Sequence, residues 1–99
     1  AYKILAVDKR GAMMSPISFL GLAVKYKMKA WAWPKNSTRY LFAYKTLRDA
    51  KKVFALFSRR EQKQLVIVEC LAQNFRKAIG VGPVNEYRCT KLKPTRVVI

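Results

Sequence analysis

Leu22-Ala23-Val24-Lys25-Tyr26-Lys27-Met28-Lys29-Ala30-Trp31-Ala32-Trp33 is the stretch that decides how this chain is read. Leu22, Val24, Tyr26, Met28, Ala30 and Ala32 occupy every second position, and Lys25, Lys27, Lys29, Trp31 and Trp33 fill the places between. Successive side chains of a strand point to opposite faces, so the alternation predicts a strand with one face on a core and one toward solvent. Pro34 has no N–H to give a ladder and ends the run. Lys35-Asn36-Ser37-Thr38 is of turn-forming composition.

Working outward, Tyr2 to Lys9 reads as a strand with apolar groups on both faces, broken at Gly11. Met13 to Ile17 reads as a turn-like connection, because Pro16 biases Ser15 away from helix. Arg39 to Lys45 resumes as a strand and leads into a helix predicted over 46–60. There Thr46 suits the N-cap, and Asp49 places a carboxylate near the positive helix end. Leu47, Ala50, Val53, Phe54 and Phe57 recur at helical spacing, while Arg48, Lys51, Lys52 and Arg59 form a basic stripe opposite. Leu65 to Leu71 is apolar on both faces and rich in β-branched residues, which predicts a central strand. Ala72 to Ile79 fits either a short helix or an extension of that strand. Gly80 to Pro83 is a turn, and Tyr87 to Leu92 a further strand. Lys91, Lys93 and Arg96 read as a basic terminal segment able to serve as a mobile arm. The expected fold is a single α+β domain over 1–99. It has an antiparallel or mixed sheet of about five strands, with one main helix packed on one face.

Leu22 to Tyr26, Leu41 to Ala50, Phe54 and Val66 to Cys70 together resemble short uncharacterised phage-encoded α+β proteins, over roughly residues 2–72. The shared motifs are structural: a strand, a capped helix and a central strand. The resemblance implies a viral origin and brings no activity with it. The same block is loosely similar to part of the ADP-ribosyltransferase fold, but His is absent and no catalytic residue carries over.

The charge sets the function class. Twenty-one Lys and Arg face five Asp and Glu, for a formal +16. Apolar residues make up 52% of the chain, five Phe, five Tyr and two Trp among them, so it can build a core despite that charge. Such an imbalance repels itself in a compact domain, and an anionic partner relieves it. Nucleic acid is the commonest such partner, because binding releases the counterions condensed on its phosphates.

Enzyme chemistry lacks its parts. Without His there is no Ser-His-Asp or Cys-His pair. The five acids are scattered, so neither a carboxylate pair nor a metal cluster is expected. Gly80-Val81-Gly82 before Pro83 is no phosphate-binding glycine loop. Cys70 and Cys89 are nineteen positions apart and too few for zinc or a disulfide scaffold, which favours a reducing compartment. The first residues hold no apolar signal core. The longest uncharged stretch, Gly11 to Val24, is fourteen residues, short of the roughly 20 a spanning helix needs.

The expectation is therefore a small, basic, non-enzymatic nucleic-acid-binding protein of the cytoplasm (the host's, if viral), with no cofactor, no metal and no membrane partner. Its expected contacts are Lys25, Lys27, Lys29, Trp31 and Trp33 on the strand, where lysines track phosphates and tryptophans stack on bases, and Arg48, Lys51, Lys52 and Arg59 on the helix. The alternative is a phage or viral interaction protein that inhibits a host defence or nucleic-acid-handling complex by docking on an acidic host protein or on the nucleic-acid groove of a host defence complex. Salt separates charge-driven phosphate binding from other modes. Affinity for an oligonucleotide should fall steeply between about 50 and about 200 mM salt in a titration followed by fluorescence anisotropy. A flat salt response would remove the electrostatic basis of the reading.

Overall fold

The computed structural model describes residues 1–15, 24–34, 40–78 and 86–99. Its strands and helices are β1 (Tyr2–Val7), β2 (Met13–Met14), β3 (Lys25–Tyr26), β4 (Leu41–Ala43), α1 (Leu47–Phe54), α2 (Arg59–Gln62), β5 (Leu65–Gln73), β6 (Arg76–Lys77), β7 (Tyr87–Cys89) and β8 (Lys91–Val97). The class is α+β, as the sequence predicts, with a five-stranded antiparallel sheet ordered β3-β2-β1-β5-β8. Leu65 to Leu71 lies in β5, an interior strand of that sheet next to the middle strand β1. β5 pairs with β1 on one side and β8 on the other. Of the two readings of Ala72 to Ile79, the strand extension holds for the described part, as the last residues of β5 followed by β6.

The segment 24–34 closes the sheet into a near-barrel. At β3 it pairs with β2, Met13 opposite Tyr26. It then turns over Lys27–Ala30, with Lys29 in the left-handed conformation at φ 61°. Beyond the turn Ala32 pairs with Leu92 of β8 through N–H···O bonds of 2.8 and 3.0 Å. The predicted strand 22–33 is thus two short pairings around a turn, not one continuous strand. The turn lets one segment serve both edges of the sheet. Parity survives it: Val24, Tyr26 and Ala32 are buried and Lys25 and Trp33 are exposed, while Met28 comes to the surface in the turn. Positions 22, 23, 35–39 and 79–85 lie outside the described residues, and with them both predicted turns and Pro16.

Each face of β1 has its own core, which explains the apolar residues on both. Leu5 joins the barrel interior with Val68, Cys70, Cys89 and Leu92. Ile4 joins Ile67 and Ala50 in a second cluster, roofed by α1. Ala50 is fully buried where the helix meets the sheet, and its small side chain permits the approach. The Thr46 hydroxyl accepts the Asp49 N–H at 3.1 Å, the N-cap that the sequence predicts. The single helix over 46–60 is corrected to two. α1 ends at Phe54, and Ser58 starts α2 with a capping box, its hydroxyl accepting the Glu61 N–H while the Glu61 carboxylate accepts the Ser58 N–H. Met13–Met14, read as part of a connection, pairs with β1 as β2. Lys91 to Arg96 is no mobile arm but the body of β8.

Lys3 shares the inward face of β1 with Leu5. Its amine donates to the Phe42 carbonyl at 2.5 Å and lies 5.8 Å from the Tyr26 ring centre. Burial lowers its pKa below the ordinary 10.5, opposed by the nearby Cys89, Cys70 and Glu86. Among the described residues no carboxylate forms an ion pair with it. Because the folded pKa is depressed, the unfolded chain holds the proton more firmly. Stability therefore rises with pH from the folded value up to 10.5. Lys3 is half-buried, and replacing a poorly paired, partly desolvated charge by an apolar isostere is neutral or stabilising. Lys3→Met should stabilise the fold by about 1 kcal/mol at pH 7. In thermal melts across pH, that gain should shrink as the lysine value of 10.5 is approached.

Candidate nucleic-acid interface

The outer face of the β1–β5–β8 sheet divides in two. α1 covers the half carrying Ile4 and Ile67. On the other half the antiparallel pairing of Ala32 with Leu92 sets Trp31 beside Lys93 and Trp33 beside Lys91. The β5–β8 register continues both rows, with Lys93 opposite Leu71 and Lys91 opposite Gln73. Ladder hydrogen bonds on both sides of β8 thus hold two Trp, two Lys and an exposed Leu on one surface.

The lysines lie over the rings. Lys91 Nζ is 4.4 Å from the Trp31 ring centre and 5.8 Å from that of Trp33, and Lys93 Nζ is 5.5 Å from that of Trp31. These distances are in the range of cation–π attraction. Trp33 is 59% exposed and Leu71 55%, while Trp31 is half-buried. Neither Trp belongs to a buried core cluster. Carboxylates are committed elsewhere. Asp8 accepts the N–H groups of Arg10 and Ala12, and Asp49 lies in the first turn of α1. Glu61 caps α2. Glu86 lies by Tyr44, whose hydroxyl is pushed up to about 12 by burial and by that carboxylate. Glu69, the acid on the same sheet face, is bridged by Arg96 at 3.0 Å. A β-bulge between Glu69 and Cys70 places Arg96 opposite Glu69.

The predicted contacts are distributed differently from the pattern that suggested them. Lys25 is exposed on β3, and Lys27 and Lys29 are exposed in the turn that follows. The cations found on the Trp rings are Lys91 and Lys93 instead. Arg48, Lys51 and Lys52 stay together on α1, around an open depression that Leu47 and Ala55 also line. Arg59 does not continue that stripe; it opens α2, past the helix break. Lys91, Lys93, Leu71 and Gln73 were not among the predicted contacts. The alternation Lys91-Leu92-Lys93 within a predicted strand was the available signal.

Other chemistry is sparsely provided. Cys70 and Cys89 are free and buried, and burial pushes the Cys70 thiol up to about 12 and the Cys89 thiol upward as well. Among the described residues no group of three or more His, Cys, Asp or Glu could hold a metal ion, and no helix is long and apolar enough to cross a membrane. Comparison with protein-family models, with curated proteins and with solved structures finds no match to this chain.

The burial of the two tryptophans separates their structural weights. Full truncation of a buried Trp costs about 3–5 kcal/mol. Half-buried Trp31→Ala should therefore lower stability by about 1–2 kcal/mol in a denaturant titration. Trp33→Ala should change it by no more than about 0.5 kcal/mol, as for surface substitutions generally.

Proposed function

We propose that this chain is a non-enzymatic nucleic-acid-binding protein that takes single strands on the outer sheet face of Trp31, Trp33, Lys91 and Lys93. The observation that carries this reading is Trp33. An indole more than half exposed (59%), next to the Ala32–Leu92 pairing and with Lys91 5.8 Å from its ring centre, offers an apolar ring to the faces of unpaired bases. The ammonium groups beside it meet the phosphates on which those bases are strung. Duplex bases hide their faces in the stack, so this geometry favours a single strand. Arg48, Lys51 and Lys52, with Lys25, Lys27 and Lys29, extend the positive field without selecting bases. A cytoplasmic setting is supported by two free, buried thiols.

Anisotropy titrations of single-stranded and duplex oligonucleotides test the proposal. Base–aromatic stacking contributes about 1–3 kcal/mol per base. A Trp31→Ala/Trp33→Ala protein should therefore bind single strands roughly tenfold or more weakly, with a smaller loss on duplex. Lys91→Gln and Lys93→Gln should weaken both and reduce the salt slope by about one each. A folded double-tryptophan variant that binds single strands as well as the parent would refute the stacking role. Failure of the parent to bind any oligonucleotide at low salt would turn the reading toward an acidic protein partner.

A further inference from the structure

The surface that carries Trp31 and Trp33 continues past the end of β8. β5–β6 and β7–β8 are the two arms of one long hairpin, paired from Val68–Val97 to Lys77–Tyr87. It bends at Asn74 and Thr90. Asn74 has φ 54° and its Nδ2 donates to Thr90 Oγ1 at 3.2 Å, while the Thr90 N–H and hydroxyl both donate to the Gln73 carbonyl, at 3.0 and 3.2 Å. Before the bend Leu92 points inward, with Lys91 and Lys93 on the outer face. After it Cys89 is buried and Arg88 is exposed. Without the bend, alternation through Thr90 would carry Cys89 to the outer side with Lys91. The bend therefore keeps the outer face basic around the corner.

Beyond that corner a second aromatic and cationic cluster stands on the outer face of β4-β7-β6. The register places Phe42 opposite Arg88, and Arg88 opposite Arg76. Arg88 stacks over Tyr40, its guanidinium carbon 4.6 Å from the ring centre. Phe42 and Tyr40 are 46% and 42% exposed, so the pair presents ring surface to solvent just before a helix whose own exposed side is basic. The acid nearest in sequence, Glu86, lies by Tyr44 and Lys3. Arg88 and Lys91 are three residues apart on one continuous chain, about 10 Å at the rise of a strand. Two clusters of the same chemistry are thus joined by a corner whose hydrogen-bonded residues, Asn74 and Thr90, carry no charge.

We infer that Tyr40, Phe42, Arg76 and Arg88 form a second stacking platform on the same track, over which a single strand held at Trp31 and Trp33 continues around the bend. This rests on the single-strand reading above and deepens it: it names a long, bent, unpaired strand as the ligand. Charge complementarity selects the occupant, because the platform has arginines for phosphates and exposed rings for bases. An apolar protein partner would leave both guanidinium groups unmatched.

A length series tests it. Oligo(dT) and oligo(rU) of about 5 and about 15 nucleotides, within the range single-strand binding domains occupy, are titrated against the full chain by anisotropy. The parent should bind the longer oligomer at least tenfold more tightly per site than the shorter. Tyr40→Ala/Phe42→Ala should abolish most of that gain while leaving short-oligomer affinity within about twofold, because the short strand occupies the tryptophan platform. Trp31→Ala/Trp33→Ala should instead weaken both lengths; if it weakens neither, the single-strand reading falls and this inference with it, whereas the variants of the second platform test this inference alone. Arg88→Gln, a surface change, provides the same test if the aromatic double variant is unstable in a melt. Unchanged length dependence in folded Tyr40→Ala/Phe42→Ala or Arg88→Gln protein would overturn the second platform. A difference between the DNA and RNA arms would show which sugar the track prefers.

Discussion

The pairing of Ala32 with Leu92 is the contact on which the rest of this structure depends. A five-stranded sheet ordered β3-β2-β1-β5-β8 has two edges, and exposed edges invite pairing with other chains. The segment 24–34 removes much of that exposure by serving both edges itself, at Tyr26 on one side and at Ala32 on the other. Closure then dictates what goes inside. Leu5, Val68, Cys70, Cys89 and Leu92 fill the interior, and the aliphatic and thiol side chains suit a narrow barrel. Closure also dictates what stays outside, because Ala32 and Leu92 facing inward leaves their neighbours Trp31, Trp33, Lys91 and Lys93 nowhere else to point.

That geometry gives physical form to the charge excess. A formal +16 on 99 residues would be softened if acids were interleaved on the surface, yet the few acids serve local structure: a turn at Asp8, a helix start at Asp49, a cap at Glu61, a bridge at Glu69. Half-buried Lys3 shows the same pressure from another side. Its amine settles for a carbonyl and a tyrosine ring, with no ion-pairing carboxylate among the described residues. The residual positive field is therefore spread over the outer sheet face, α1 and the β3 turn, and it supplies attraction without selectivity. Selectivity, in the reading proposed here, comes from where aromatic rings break that field.

Much of this was legible from residue order, for reasons that can be named. Alternation over 22–33 survives the turn at Lys29, so the buried and exposed sets were readable even though the strand is interrupted. The interruption itself was not, since a left-handed lysine bears no mark that glycine or asparagine would have given. The interior position of Leu65 to Leu71, paired on both sides, followed from its two apolar faces. The division of the helix was announced by Ser58-Arg59-Arg60-Glu61, a capping-box pattern inside an otherwise helical run, and Phe57 still packs where helical spacing would send it. What no local pattern contains is register across distant strands. That Lys91 and Lys93, and not Lys25, Lys27 and Lys29, lie on the tryptophans follows from a pairing sixty positions away. Asn74 was a visible hint of the hairpin's bend, because asparagine tolerates positive φ, but its consequence for Arg88 depends on the partner strand.

The placement of the rings bears on how such a surface could bind at all. A stacking side chain on a loose loop loses conformational freedom on binding, and that loss offsets part of the gain. Here Trp31 is half-buried under two lysines, and the backbone on both sides of Ala32 is held by ladder bonds. Tyr40 and Phe42 have a similar support, since Arg88 lies over one ring and the β4–β7 ladder holds the other. The cations that would contact phosphates are the same groups that hold the rings in place while no ligand is present. A phosphate drawing Lys91 away from Trp31 would trade a cation–π contact for an ion pair and uncover the indole face to a base. Coupling of that kind makes the charge and stacking contributions non-additive, so removing a lysine should alter the ring's readiness as well as the salt response.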